Sequence, residues 1–292
     1  MERTLQVDAA VFDLFWEPAP SRGRCTAEYL DVAAARRTDG LRLVLTERVP
    51  GPWGEAAKAV LHVKGIPYTK VGHSTGIANG ELFAWTGRTN APVAVYRDDG
   101  GVDRAIDGWA GILHLAERMA PEPSLYPSEP GDRALMLGLS HEICGEGGLG
   151  WSRRLMTLHA GETSPELREN EAAMREVRVL GAKYGYSEHA GRDAAARVCQ
   201  ILELLTDQLA RQQASGRQYL VGSALSAVDL YWACFSQFLD PYPEKLAPMD
   251  HWPGLREGYT LRDPEVRKAL SPELLAHRDV VYREHLPLPL DY

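Results

Sequence analysis

The spacing of apolar positions changes period partway along the chain. Leu41 to Leu45 alternates well enough to predict a strand. Val49-Pro50-Gly51-Pro52 then reads as a loop, and Gly54 to Lys64 puts Ala57, Val60 and Leu61 on one helical face. Gly65-Ile66-Pro67 closes that helix, with a glycine stop and a proline just beyond it. Tyr68 to Val71 predicts a second strand, and the polar stretch from Gly72 to Asn90 carries a helical turn around Glu81 to Trp85. Val93 to Tyr96 is a third strand. Asp98-Asp99-Gly100-Gly101 is a turn from which Val102 to Ala105 pairs back as a hairpin. From Ile106 to Arg118 the spacing of Ile106, Trp109, Ile112/Leu113 and Ala116 is helical. The predicted order is β-α-β followed by β-β-α.

A different composition follows. Pro121 to Gly131 carries four prolines and reads as an interdomain linker. Every later segment has helical spacing: Arg133 to Cys144, Trp151 to His159, Glu166 to Lys183, Asp193 to Gln213 and Ser226 to Leu239. Asp263-Pro264 and Ser271-Pro272 each set a capping side chain before a first-turn proline and open two more short helices. The expected architecture is an α/β unit followed by an all-α unit. Residues 1–40 form an extension, 41–120 the first domain, 121–131 the linker and 132–292 the helical domain. Within the extension, Thr26 to Arg37 predicts a short helix capped by Thr26, in an arm packed on the main body.

Composition narrows the function classes. Apolar residues make up 45% of the 292 and charged residues 25%, a globular balance that argues against disorder. A net charge of −8 offers no basic field for nucleic acid. Four cysteines (Cys25, Cys144, Cys199, Cys234) without C-x-x-C spacing predict free thiols in a reducing compartment. The longest apolar stretch, Tyr219 to Phe235, is too short to span a membrane and carries Asp229, and Asp8 and Asp13 interrupt any leader-like run. The expected location is the cytoplasm, with neither membrane nor nucleic acid as partner. Gly145-x-Gly147-x-x-Gly150 fits the dinucleotide fingerprint literally, but it follows a helical segment and so reads as a helix connection. The histidine spacing suits no metal site.

Three stretches together resemble the cytosolic glutathione transferase superfamily, its omega-like and bacterial classes in particular. They are Gly51-Pro52-Trp53-Gly54-Glu55 running to Tyr68, then Asn90-Ala91-Pro92-Val93-Ala94-Val95, and Tyr219-Leu220-Val221-Gly222 with Ser226-Ala227-Val228-Asp229. Trp252-Pro253-Gly254-Leu255 and Asp263-Pro264 fit the family's tail. The resemblance implies a thioredoxin-like amino-terminal domain, a cis bond before Pro92, a structural role for Ser226 and Asp229, glutathione as bound thiol, and a two-fold homodimer. Physically, Ser226 and Asp229 form a capping box. The Ala91 main chain before a cis-proline can pair with an extended peptide.

The family's thiol-activating side chain is missing. Its tyrosine position falls at Glu47 and its serine or cysteine position at Gly51. No Ser, Thr, Cys or Tyr lies between Glu47 and Lys58. Thr46 and Arg48 are the remaining candidates for that role, and Glu55 in the first helical turn opposes a second negative charge. The expected glutathione contacts are Trp53, Ala91, Pro92, Asp107 and Gly108. Gly108-Trp109 fall where the family has an acidic residue and serine, so Asp107 either meets the ligand's ammonium or caps the helix, and Trp109 packs in the core. His141, Cys144, Trp151 and Arg154 fall where the family holds its second substrate. The alternative for Arg153 and Arg154 is a pair of solvated helix charges, and for Cys144 a buried apolar role. The extension offers Cys25 or Tyr29 as a substitute group. Two functions follow: weak transfer of glutathione to or from a small electrophile or thioether, or a binding or scaffold protein that has lost the thiol site.

Overall fold

The structure is a computed structural model that describes residues 28–74, 79–251 and 253–292. Thr26, Cys25 and Trp252 lie outside the described residues. Four strands form one sheet in the order β2-β1-β3-β4. β1 (Leu41–Thr46) runs parallel to β2 (Tyr68–His73), while β3 (Val93–Arg97) is antiparallel to both β1 and β4 (Asp103–Asp107). β1 is buried on both faces because both are covered. Leu41, Leu43 and Leu45 join a core with α2 (Pro52–Val63) and α4 (Trp109–Met119). Val44 joins Val71, Val93 and Val95 in a second core under α1 (Val32–Ala35) and α3 (Gly80–Thr86). Arg42 is buried on that second face. Its guanidinium meets Asp103 at 2.5 Å and lies over the Trp85 ring, and Trp85 Nε1 donates to the same carboxylate at 2.8 Å.

The end of the extension is part of this layer. Leu30 N–H donates to Lys70 and Leu30 C=O accepts from Gly72, which adds a bridge at the free edge of β2. Asp31, not Thr26, caps the described helix, its carboxylate accepting from Ala34 N–H at 2.6 Å. After the linker come α5 (Pro130–Cys144), α6 (Leu149–Thr163), α7 (Pro165–Arg168), α8 (Glu171–Lys183), α9 (Glu188–Ala214) and α10 (Ala227–Ser236). The short α11 (Leu255–Tyr259) and α12 (Pro264–Ala269) precede α13 (Pro272–His285). The single helix expected over Glu166 to Lys183 is two helices, because Asn170 starts the second by accepting from Ala173 N–H at 3.1 Å. The helix expected from Ile106 begins instead at Trp109. Ile106 pairs with Ala94 as the next-to-last residue of β4, and Gly108 turns the chain at φ 74°.

Every residue of α10 is buried, and Asp229 organises its start. Its carboxylate accepts from the backbone N–H groups of Leu220 and Ser226 and from the Ser226 hydroxyl, at 2.8–2.9 Å, and meets His277 Nε2 at 2.9 Å. The capping box expected from the sequence is therefore the centre of a larger network. Helix α2 packs on the sheet with one face and on α10 with the other. The linker is fastened as well, since Lys64 Nζ donates to Glu117 at 2.7 Å and to the carbonyls of Pro121 and Pro123. Among the described residues, no helix is long and apolar enough to cross a membrane.

Candidate functional site

The strand directions bring four strand ends to one edge of the sheet. β1 ends at Thr46 in register with His73 at the end of β2, and β4 ends at Asp107 opposite Val93 at the start of β3. Val44 pairs with Val93, so the antiparallel register continues toward Thr46 and Ala91 at the same edge. Two helices begin there, α2 after Gly51 and α4 after Gly108, and no side chain caps either one. Pro52 at the first position of α2 has no N–H to leave unsatisfied, which leaves those of Trp53 and Gly54 at the helix mouth. Each helix start carries a partial positive charge that suits an anion.

Ala91 lies between these helix starts in the chain's course. The Ala91–Pro92 bond is cis, as the resemblance implies, and Ala91 is half-exposed. Its N–H and C=O make no hydrogen bond to another described residue. Peptide-edge groups left like this are open to an added strand.

Thr46 has a partner that sequence reasoning missed. Its Oγ1 lies 3.5 Å from His73 Nδ1, and His73 Nε2 lies 3.0 Å from the Thr89 carbonyl. The carbonyl can only accept, so Nε2 carries the proton and Nδ1 presents a lone pair toward the hydroxyl. His73 is 6% exposed, and burial, with a contribution from Lys183, holds its pKa below the ordinary value. The ring is neutral at pH 7. The one signal in the sequence was position: His73 follows Val71 by two residues and so falls on the same face of β2.

Glu55 does not face the helix mouth as expected. It is buried and paired with Lys58 at 2.9 Å, where burial raises its carboxyl pKa although Lys58 opposes that shift. Burial works against the Lys58 ammonium too, but Glu55 and Asp291 outweigh it and hold its pKa above the ordinary value. Glu47 folds back over Gly72, and Arg48 takes a left-handed backbone, φ 58°, between β1 and Gly51. Asp107 does not cap α4; it pairs with Arg88 at 3.0 Å. Tyr29 lies under Lys70 beside Lys58 and Glu55, and burial pushes its hydroxyl up to about 12. It belongs to the cluster of Lys58, Glu55, Lys70 and Asp291.

The helical domain forms the facing wall. Trp53 Nε1 donates to the Cys144 carbonyl at 2.8 Å, and its ring meets Phe235 edge-on at 5.1 Å. Gly150 permits this, because a side chain there would strike Phe235 and the Trp53 ring. Residues 145–148 form the connection between α5 and α6, and Gly150 lies in the first turn of α6. Trp109 packs edge-on against Tyr231 at 5.7 Å, and the His141 ring lies 6.5 Å from it. The Trp151 ring meets Tyr184 at 4.6 Å, tilted by 60°, and its Nε1 donates to the Tyr184 carbonyl at 3.0 Å. Arg154 lies over Tyr184 and Phe238. Cys144, Trp151 and Arg154 are thus linked through Trp53 and Tyr184, while His141 lies against Trp109.

Two expectations on this wall change. Arg153 is no solvated charge: it is 6% exposed and donates to Phe238 O, Thr157 Oγ1 and Gly258 O. Cys144 is buried, and burial drives its thiol pKa well up, so its contribution is the carbonyl under Trp53. Among the described residues no group of three or more His, Cys, Asp or Glu could hold a metal ion.

Comparison with solved structures places this architecture. The fold is similar to that of yeast Ure2p in complex with glutathione (16% identity, 80% of this chain and 98% of that one, TM-score 0.51). It is similar to glutathione transferase Omega 3C from Trametes versicolor (16% identity, 87% and 89%, TM-score 0.52). It also matches a glutathione transferase from Pseudomonas putida with one glutathione disulfide bound per subunit (16% identity, 82% and 96%, TM-score 0.51). No family model and no curated protein matches the sequence. The chain has the glutathione transferase superfamily fold, a thioredoxin-like domain followed by a helical one.

Proposed function

We propose that the protein binds glutathione along the sheet edge and transfers it weakly to or from a small electrophile or thioether. The observation that carries this reading is the main chain of Ala91, which has no hydrogen-bond partner among the described residues, before a cis-proline at the edge where two helices without side-chain caps begin. An extended peptide adds to the Ala91 N–H and C=O as a strand would. Its carboxylates suit the two helix starts, and Asp107 supplies a carboxylate for its ammonium once Arg88 yields. Similar structures hold glutathione or glutathione disulfide, which supports the ligand class.

The chemistry is weak for a stated reason. A thiol with pKa about 8.5 is about 3% ionised at pH 7. A helix start contributes about 0.3–1 kcal/mol to an anion, which raises that fraction to about 5–15%. The Thr46 hydroxyl directs its one proton at the His73 Nδ1 lone pair, so it offers a thiolate no free donor. The second reading, a binding or scaffold protein, is favoured by the same gap at Gly51. We also propose a two-fold homodimer in a reducing compartment; exposed Phe83 and Val102 supply apolar surface for it. Calorimetric titration with glutathione is expected to give binding at millimolar ligand or below. Absence of heat at ten millimolar would end the glutathione reading. Binding without turnover of 1-chloro-2,4-dinitrobenzene would leave the scaffold reading.

A further inference from the structure

A cavity of about 300 Å³ lies between α2, the start of β2, α10, α13 and the segment from Leu286 to Asp291. None of its lining residues belongs to the sheet edge described above. Its walls are mostly apolar, from Ala59, Ile66, Leu286, Pro289 and Leu290. The volume falls at the lower end of small-molecule sites and far exceeds the space that one water needs.

One polar group on the wall is poorly satisfied by the fold. Tyr282 is 1% exposed, and its hydroxyl makes no hydrogen bond to an oxygen or nitrogen among the described residues. The group beside it, Cys234, is a weak acceptor. Burial raises the Tyr282 pKa well above its ordinary value, so the hydroxyl keeps its proton as a donor. Buried hydroxyls are ordinarily satisfied, and each exception calls for an explanation. The ionic end of the cavity is already balanced. Lys58 is shared by Glu55 and Asp291, both at 2.9 Å, and Asp291 also pairs with Lys70. Two carboxylates thus face two ammonium groups, and a charged ligand would have to break a pair. Neutral ligands meet no such obstacle.

We propose that this cavity is a binding site for a small neutral ring compound carrying one carbonyl oxygen, which accepts a hydrogen bond from Tyr282. The site is separate from the sheet edge and does not depend on glutathione binding. The segment from Leu286 to Asp291 forms its outer wall, held in place by the pairs of Asp291 with Lys58 and Lys70.

The test uses 1-tetralone and its isostere tetralin, which lacks the carbonyl, with binding read by saturation-transfer NMR and calorimetry on the full chain. Wild type is expected to bind 1-tetralone about tenfold more tightly than Tyr282→Phe does, since a matched buried hydrogen bond is worth about that much. Tetralin is expected to bind the two proteins equally. Ala59→Phe, which fills the cavity, is expected to weaken both ligands at least tenfold. Tyr282→Phe keeps the ring, so folding, checked by circular dichroism, is retained even if Ala59→Phe fails to fold. Saturating glutathione is expected to leave the 1-tetralone affinity unchanged. Equal 1-tetralone affinity in wild type and Tyr282→Phe, no binding at millimolar ligand, or displacement by glutathione would each overturn the proposal.

Discussion

Replacing Gly51 by cysteine tests the physics of the helix mouth directly. The backbone there, φ −64° and ψ 119°, suits any L-residue, and a Cβ would meet no atom within 4 Å. The new sulfur would sit at the cap position of α2, in front of the Trp53 and Gly54 N–H groups that no side chain satisfies. The Glu55 carboxylate, which would oppose a thiolate, is turned away into its 2.9 Å pair with Lys58. Stabilisation of an anion at a helix start runs from about 0.3 to 2 kcal/mol, or about 0.2 to 1.5 pH units. The introduced thiol should therefore titrate between about 7 and 8.3, against about 8.5 for a free one. At the favourable end, its ionised fraction at pH 7 rises from about 3% to about 50%. The assay is the pH dependence of iodoacetamide alkylation, followed by mass spectrometry after exposure to glutathione disulfide. We expect a lowered pKa and one added glutathionyl group that the parent protein does not gain. A folded variant with a thiol pKa of 8.5 or higher would refute the electrostatic reasoning. A lowered pKa without a mixed disulfide would refute the docking of the peptide beside it.

Other substitutions probe the frame around the site. Asp229→Ala strands the N–H groups of Leu220 and Ser226 and the His277 ring. It should cost about 3–5 kcal/mol, seen as a fall in melting temperature of about 6–20 °C by calorimetry. Trp53→Phe keeps a ring against Phe235 but leaves the Cys144 carbonyl unpaired, and should lose about 1–2 kcal/mol in urea titration. Trp53→Ala should lose about 3–5 kcal/mol. His73 has a folded pKa below its ordinary 6.5, so the unfolded chain takes up its proton first and stability falls as pH drops below 6.5. Denaturant midpoints measured from pH 7 to pH 5 should fall less steeply in His73→Asn than in wild type.

The two-part architecture was legible because each signal was local. Alternation in Leu41–Leu45, the Gly65/Pro67 stop, the prolines from Pro121 and the Ser226–Asp229 box each act over a few residues. Boundaries failed where one residue fitted two periods. Ile106 continues the helical spacing of Trp109 and Leu113, yet its strand partner Ala94 decides the matter. The site was half legible. Gly51, Ala91 and Asp107 were singled out from their place in the chain, and the topology brings those positions to one edge. His73, Lys183 and Tyr184 were missed because they meet the site only through tertiary packing. The directions of Glu55 and Arg153 were missed because burial sets the first, beside Lys58 one turn on, and carbonyls distant in the sequence set the second.

Helix α2 lies with one flank on the sheet and the other on α10, and Lys58 secures it to Asp291 in the segment after α13. Each half of the molecule is thus the mould in which the other sets. Severing the chain between Pro121 and Gly131 should yield two fragments that are sticky and poorly ordered when made separately. Synthesised together, they should knit back into one particle.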